Sequence, residues 1–358
     1  MTGFRNDRAA AEFAALRALS ARVGADPLLV QAAGGNTSLK DDGVLWIKAS
    51  GTWLMHAGRD DIFVPVKMPP LLQAVADLDP AAEKAEAFVV ADLNPLGLRP
   101  SIETTVHALM PQRVVVHVHC VETISLAVRS DAETVVGERL RGLDWVFVPY
   151  CRPGLPLARA IAERRGRETN VLVLGNHGLV VAADTVAETE DLLARVCDLL
   201  ARTPRPAPQA DTDALLRLAA GSNYRLPASP EAHAAASDPA SCQIAAGGTL
   251  YPDHVIFLGE GSVVAAPGET AQAVVHRLAA EGRDAPMSIL FPGKGVLMRN
   301  DANAGAEALA RCLADVTARI DEHASLHYLG AADAHQLLNW DAEKYRQELT
   351  RRMEAARQ

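Results

Sequence analysis

Residues 101–120, SIETTVHALMPQRVVVHVHC, constrain the fold more than any other stretch of the chain. Glu103 and His107 stand four apart, the spacing that puts two side chains on one helix face. Ser101 suits the N-cap of that helix. Met110-Pro111 interrupts the pattern, and Val114-Val115-Val116 opens a buried strand of β-branched residues. Side chains alternate along a strand, so His117 and His119 project from the same side of it. Burying two imidazoles on a valine strand requires partners for them. A lone buried histidine is ordinarily a hydrogen-bonded core residue. A pair two apart, with a carboxylate close in sequence, points to a metal, and a third ligand must then come from elsewhere.

Residues 170–185, NVLVLGNHGLVVAADT, supply it. Two apolar strands flank Gly175-Asn176-His177-Gly178, which places His177 in a turn at the edge of a buried sheet. Three imidazoles with an open fourth position form the pattern of a catalytic zinc site, and other divalent metals suit the same donors. Beside such a site Glu103 reads as a fourth ligand, a general base, or both at different stages. Without the site it is an exposed first-turn acid. A carboxylate next to a Lewis acid is what proton abstraction beside a carbonyl requires. His107 reads as a supporting residue bonded to Glu103.

A second polar cluster precedes this one. Gly34-Gly35 is followed by Asn36-Thr37-Ser38, and the alternating LWIK of residues 45–48 runs into Ala49-Ser50-Gly51-Thr52. Asp41-Asp42-Gly43 between them signals a hairpin, so both polar loops fall at the same end. Such loops, with free N–H groups and hydroxyls, suit an oxyanion, and Lys48, or secondarily Lys40, adds charge. The plainer alternative is a pair of ordinary turns.

The rest of the chain frames these stretches. Helices are expected over residues 7–23, 69–88, 121–141, 157–166, 183–201, 269–281, 303–320 and 332–357. Further strands are expected over 60–66, 145–150, 251–261, 262–266 and 288–299. The alternation is that of an α/β protein. Residues 202–211, RTPRPAPQAD, read as a linker that divides a catalytic domain, 1–204, from a smaller α/β region, 211–358. A net charge of -9 argues against general nucleic-acid binding, which needs a basic face. No apolar run approaches the ~20 residues of a membrane span. Five scattered cysteines without a CxxC pair read as free thiols, and no signal peptide is visible, so a cytoplasmic location is expected.

The order and spacing of GGNTS (34–38), KASG (48–51), SIET (101–104), VVHVH (115–119) and NHGLVV (176–181) resemble the class II aldolase/adducin family. The nearer resemblance is to the aldolase half of bifunctional rhamnulose-1-phosphate aldolase/alcohol dehydrogenase proteins, shared also by PYCRPGLPLA (149–158), YPDHV (251–255) and FPGKGVLM (291–298). The resemblance implies a three-layer domain whose central, mainly antiparallel sheet is flanked by helices. It implies Zn2+ on His117, His119 and His177, and Glu103 as catalytic acid/base. Asn36, Ser50, Gly51 and Ser101 would line a substrate-phosphate pocket, with Lys48 beside them. The implied activity is a metal-dependent lyase cleaving a small phosphorylated ketose through a metal-stabilised enediolate. Decarboxylation or epimerisation of a sugar-acid phosphate is the alternative, and an adducin-like binding protein the remaining one. Relatives form homo-oligomers, often tetramers. In some a tyrosine donates the leaving-group proton, and Tyr150, Tyr251 and Tyr328 are the candidates. Ile102 departs from the second serine of the short sugar-phosphate aldolases.

Overall fold

The computed structural model describes residues 6–338. In its first part the helices are α1 (Asp7–Ala25), α2 (Met68–Ala76), α3 (Thr104–Leu109), α4 (Val121–Ala127), α5 (Ala132–Arg139), α6 (Leu155–Arg164) and α7 (Val186–Leu200). They surround seven strands: β1 (Asn36–Asp41), β2 (Val44–Lys48), β3 (Phe63–Lys67), β4 (Val114–Val118), β5 (Trp145–Val148), β6 (Val171–Leu174) and β7 (Gly178–Ala183). The strand order is β3-β2-β1-β4-β7-β6-β5, and every pairing except β5 with β6 is antiparallel. The mainly antiparallel sheet that the resemblance implies is therefore present.

Strand alternation makes the layers. Leu39, Val114, Val116, Val118, Val173 and Val181 turn to one face, where α1, α4, α5 and α7 cover them. Val115, Leu172, Leu174 and Val180 turn to the other, under α3 and α6. Leu45, Ile47, Val64 and Val66 extend that second face beneath α2. His117 interrupts the valine run on the α3 side of the sheet. The hairpin between β1 and β2 turns on Asp42 and Gly43, both at positive φ, the conformation that a two-residue turn between twisted strands favours.

Residues 202–211 carry no helix or strand. Arg205 within them is fixed, donating to Asp238 at 3.0 Å and to the Thr317 carbonyl at 2.7 Å. Beyond lie α8 (Thr212–Ala219), α9 (Ala234–Ser237), α10 (Pro239–Ala246), α11 (Pro252–Leu258), α12 (Ala271–Ala280), α13 (Ala304–Thr317) and α14 (Ala331–Leu338). Their sheet joins β8 (Tyr224–Arg225), β9 (Val263–Val264), β10 (Ser288–Phe291) and β11 (Gly295–Arg299) in the order β8-β11-β10-β9. One apolar core spans both sides of the 202–211 segment. Val121, Ile124 and Val128 from the first part pack with Leu309, Leu313 and Val316 of α13. Arg319 reinforces the junction through a partly buried ion pair to Glu122 at 2.7 Å.

Several expectations need correction. Residues 251–261 are not a strand: Pro252 opens α11, where a missing N–H costs nothing, and the apolar run Val255–Leu258 is one buried helical turn. The helix expected over 121–141 is two helices, because Arg129 and Ser130 pair with the backbone around Ser325 and Leu326. The helix expected over 69–88 ends at Ala76 and continues as short 3-10 turns. Residues 288–299 form a hairpin, not one strand. The C-terminal helix is described to Leu338, and the remainder of the expected 332–357 helix lies outside the described residues. No described helix is long and apolar enough to cross a membrane.

Candidate metal centre

β4 carries His117 inside the sheet and releases His119 one residue past its end. The β6–β7 turn brings in His177 from the neighbouring strand pair, with Asn176 at φ 53 turning the chain. The three rings meet edge to face, with centroids 4.9 to 5.2 Å apart. One ligand nitrogen from each lies within 4.8 Å of the others, and all three histidines are buried.

Tautomers follow from the partners of the far nitrogens. His117 Nδ1 donates to the Leu179 carbonyl at 3.0 Å, which leaves the Nε2 lone pair directed into the cluster. His119 Nδ1 lies 3.0 Å from the carboxylate of Asp253, itself buried. Burial lowers His117 and pushes His177 down to about 3, so both imidazoles are neutral near pH 7 and can donate to a cation.

Glu103 closes the cluster. Its two carboxylate oxygens lie 3.3 Å from His117 Nε2 and 3.5 Å from His177 Nε2. It sits there because Ser101 N–H bonds the Lys48 carbonyl and Pro100 bridges to Ala49, fixing residues 99–101 beside the end of β2. Ser101 is not the N-cap of α3: Glu103 occupies that position, and the Ser101 hydroxyl accepts from the Glu103 N–H at 3.2 Å. Burial pushes the Glu103 carboxyl up. The imidazoles of His117 and His177 and the Asn36 amide outweigh that and hold it down at about 2.

Asn36 Nδ2 donates to Glu103 Oε2 at 2.8 Å, while Asn36 Oδ1 accepts from His107 Nε2. His107 Nδ1 in turn meets the Ser38 hydroxyl at 2.7 Å. His107 is thus bonded to Asn36 and Ser38 rather than to Glu103, and it acts on the carboxylate through the amide between them. Fully buried, it is held down at about 3 and stays neutral.

The residues fit a divalent cation. Buried and without a hydrogen-bond partner among the described residues are His117 Nε2, His177 Nδ1 and Glu103 Oε1. Such a group of orphaned polar atoms within a buried three-imidazole cluster is costly unless a cation satisfies it. Gly34 gives the cluster room: a Cβ there would come within 2.8 Å of His119 Nδ1.

A pocket opens from this cluster. Asn36, Lys48, Ser50, Gly51 and Ser101 line it, together with the apolar Ile102, Pro153, Pro252, Ile256 and Leu337. All five positions expected for an anion are therefore brought together beside the histidines. The Lys48 ammonium reaches back to the carbonyls of Ala33 and Gly35 at 2.7 and 2.8 Å, tightening the glycine loop. Lys40 is not part of the site. It sits at the far end of β1, bonded to the carbonyls of Met110 and Gln112. None of Tyr150, Tyr251 and Tyr328 lines the pocket wall. The sequence reading missed Asp253, Pro252, Ile256 and Leu337, all from beyond residue 211. The YPDHV motif was the available signal for the first two.

Residues 15–201 match the family described as Class II Aldolase and Adducin N-terminal domain. A curated relative, an uncharacterized oxidoreductase, YuxG, of Bacillus subtilis (strain 168), is 29% identical over 175 residues, 46% of this chain and 25% of that protein. The chain therefore spans about a quarter of that relative's length. Among solved structures, the N-terminal class II aldolase domain of a conserved Thermoplasma acidophilum protein is 27% identical, with TM-score 0.46 over 56% of this chain and 94% of that one. The l-fuculose-1-phosphate aldolase of Thermus thermophilus is 18% identical, with TM-score 0.37 over 53% and 91%.

Proposed function

We propose, for a chain that belongs to the class II aldolase and adducin family, a metal-dependent carbon–carbon lyase acting on a small, phosphorylated ketose. The observation that carries this reading is the position of Glu103, its carboxylate packed against the three-histidine cluster in a pocket that Asn36, Lys48, Ser50 and Ser101 also line. His117, His119 and His177 would hold the divalent cation, with Zn2+ the first choice for three imidazoles and an open position. Bound there, the cation supplies Lewis-acid polarisation of a substrate carbonyl.

The chain's own residues do the rest. Asn36 fixes Glu103 through Oε2 and leaves Oε1 without a hydrogen bond, so Oε1 is the atom that takes and returns a substrate proton. Ser50 and Ser101 offer hydroxyls to the phosphate, with Gly51 beside them, and Lys48 shapes the glycine loop nearby. The same proton transfer serves decarboxylation or epimerisation of a sugar-acid phosphate, and Ile102 in place of a hydroxyl removes one contact to the phosphate in either case. The full set of histidines with Glu103 argues against a purely structural role. We also infer a homo-oligomer, a tetramer being expected, which light scattering reads directly.

The test is a panel of ketose 1-phosphates and sugar-acid phosphates offered to metal-loaded protein, with aldehyde, CO₂ and stereoisomer products followed separately. Glu103→Gln should lower kcat by roughly 10²–10⁴-fold, the contribution usual for a positioned acid/base. An undiminished Glu103→Gln variant would sink the assignment.

A further inference from the structure

We infer that Asp253, on α11 beyond the family-matched residues, is a positioning residue of the metal centre, and that the region after residue 211 holds two of the three ligands in place. The inference rests on the metal-site reading above and assigns a role to a part of the chain outside that reading.

Two independent contacts carry it. The first is at His119. This ligand lies past the end of β4, so the ladder that fixes His117 does not reach it. The Asp253 carboxylate meets its Nδ1 at 3.0 Å, with both side chains almost wholly buried. A carboxylate accepts from an imidazole N–H, so Nδ1 carries the proton and Nε2 keeps its lone pair. The Leu179 carbonyl does the same for His117 from within the sheet. The second contact is at His177. Its neighbour Asn176 donates from Nδ2 to the carbonyls of Leu250 and His327, at 2.9 and 2.7 Å, and its Oδ1 meets His327 Nδ1 at 3.0 Å. Residues 250 and 327 thus grip the turn that presents His177. Asp253 is held in turn by α11, whose Val255, Phe257 and Leu258 are buried against the shared core and α14. The metal centre is built from both parts of the chain, and ligand geometry depends on their contact.

The experiment compares the wild-type 358-residue chain with Asp253→Asn and Asp253→Glu, titrated with Zn2+ against a chromophoric chelator. Side-chain ¹⁵N spectra of the metal-free proteins report histidine tautomers, with His119 assigned by its loss in His119→Gln. Asp253→Asn keeps shape but can present an N–H to the ring, and it should weaken Zn2+ 10–100-fold, the usual range for a lost carboxylate partner. Asp253→Glu should recover part of that loss. His119 should be the Nδ1–H tautomer in wild type and a mixture in Asp253→Asn, a change that a purely structural role would not produce. Wild type that binds Zn2+ alongside an Asp253→Asn variant within threefold of it overturns this inference and leaves the lyase reading standing. An Nε2–H tautomer of His119 in wild type overturns it without recourse to any variant. Wild type that binds no Zn2+ overturns both.

Discussion

Gly178 follows His177 directly, at the start of β7, where that strand pairs with the end of β4. A Cβ on Gly178 would lie 2.4 Å from the Val118 carbonyl oxygen and 3.3 Å from His119 Cα. Ordinary carbon–oxygen contacts are close to 3.3 Å, so Gly178→Ala overlaps by about 0.9 Å. The obstacle is backbone. β4 is locked between β1 and β7, so no flexible side chain can swing aside. The strands must part instead, at a cost of about 1–3 kcal/mol for an overpacked core site. The parting separates His177 from His117 and His119, which the opposite strand carries. Gly178→Ala should therefore lower the melting temperature by a few degrees and weaken Zn2+ by at least tenfold. Gly142→Ala is the control. Gly142 sits at φ 83 with nothing near its would-be Cβ, so alanine there carries only backbone strain of about 1–2 kcal/mol and leaves metal binding unchanged. Differential scanning calorimetry and chelator competition on both variants decide the matter. A Gly178→Ala protein that melts and binds Zn2+ like wild type refutes the claim that close strand approach sets the ligand geometry.

Three other perturbations follow from the same geometry. Asn36→Leu removes the amide between Glu103 and His107 and leaves a polar atom of each without that partner, so urea unfolding should show a loss of about 2–6 kcal/mol, twice the usual penalty per group. Burial holds His254 at about 4 against an ordinary 6.5, so its contribution to stability is intact above pH 6.5. Below that the unfolded chain takes up a proton that the folded chain refuses, and about 3 kcal/mol is lost as pH falls to 4. Denaturant midpoints across pH 7.5 to 4.5 should fall less steeply in His254→Gln, and equal slopes would contradict this. Thr185 and Glu188 form a capping box at the start of α7, and Thr185→Ala should cost about 1 kcal/mol in the same assay without altering Zn2+ affinity.

Much of the first part was legible because its signals are local. The valine run of β4, the Asp42-Gly43 turn and the glycine-flanked His177 each follow from neighbours a few positions away, and together they place the histidines. His107 was misassigned because Asn36, its partner, is 71 positions distant. Its i, i+4 spacing from Glu103 also counted for little, since Glu103 precedes the helix as its N-cap. The second part was less legible. Val255–Leu258 is a short apolar run with no period to separate strand from helix, and Pro252 at the first helical position was the only cue. Asp253 escaped notice for a related reason. Its meaning lies in His119, which chain folding alone brings to it. The break between α4 and α5 is set by pairing with residues near 325, a tertiary contact overriding a continuous helical pattern.

The central claim is that His117, His119 and His177 hold one catalytic divalent cation next to Glu103. Elemental analysis of the purified 358-residue chain after Zn2+ loading and desalting, run beside His117→Ala and His177→Ala, tests it most directly. The account predicts close to one equivalent of metal in wild type and less than about a tenth of that in either variant, since an open site cannot spare one of three ligands. Equal metal content in wild type and both variants, or none in any of them, would contradict it.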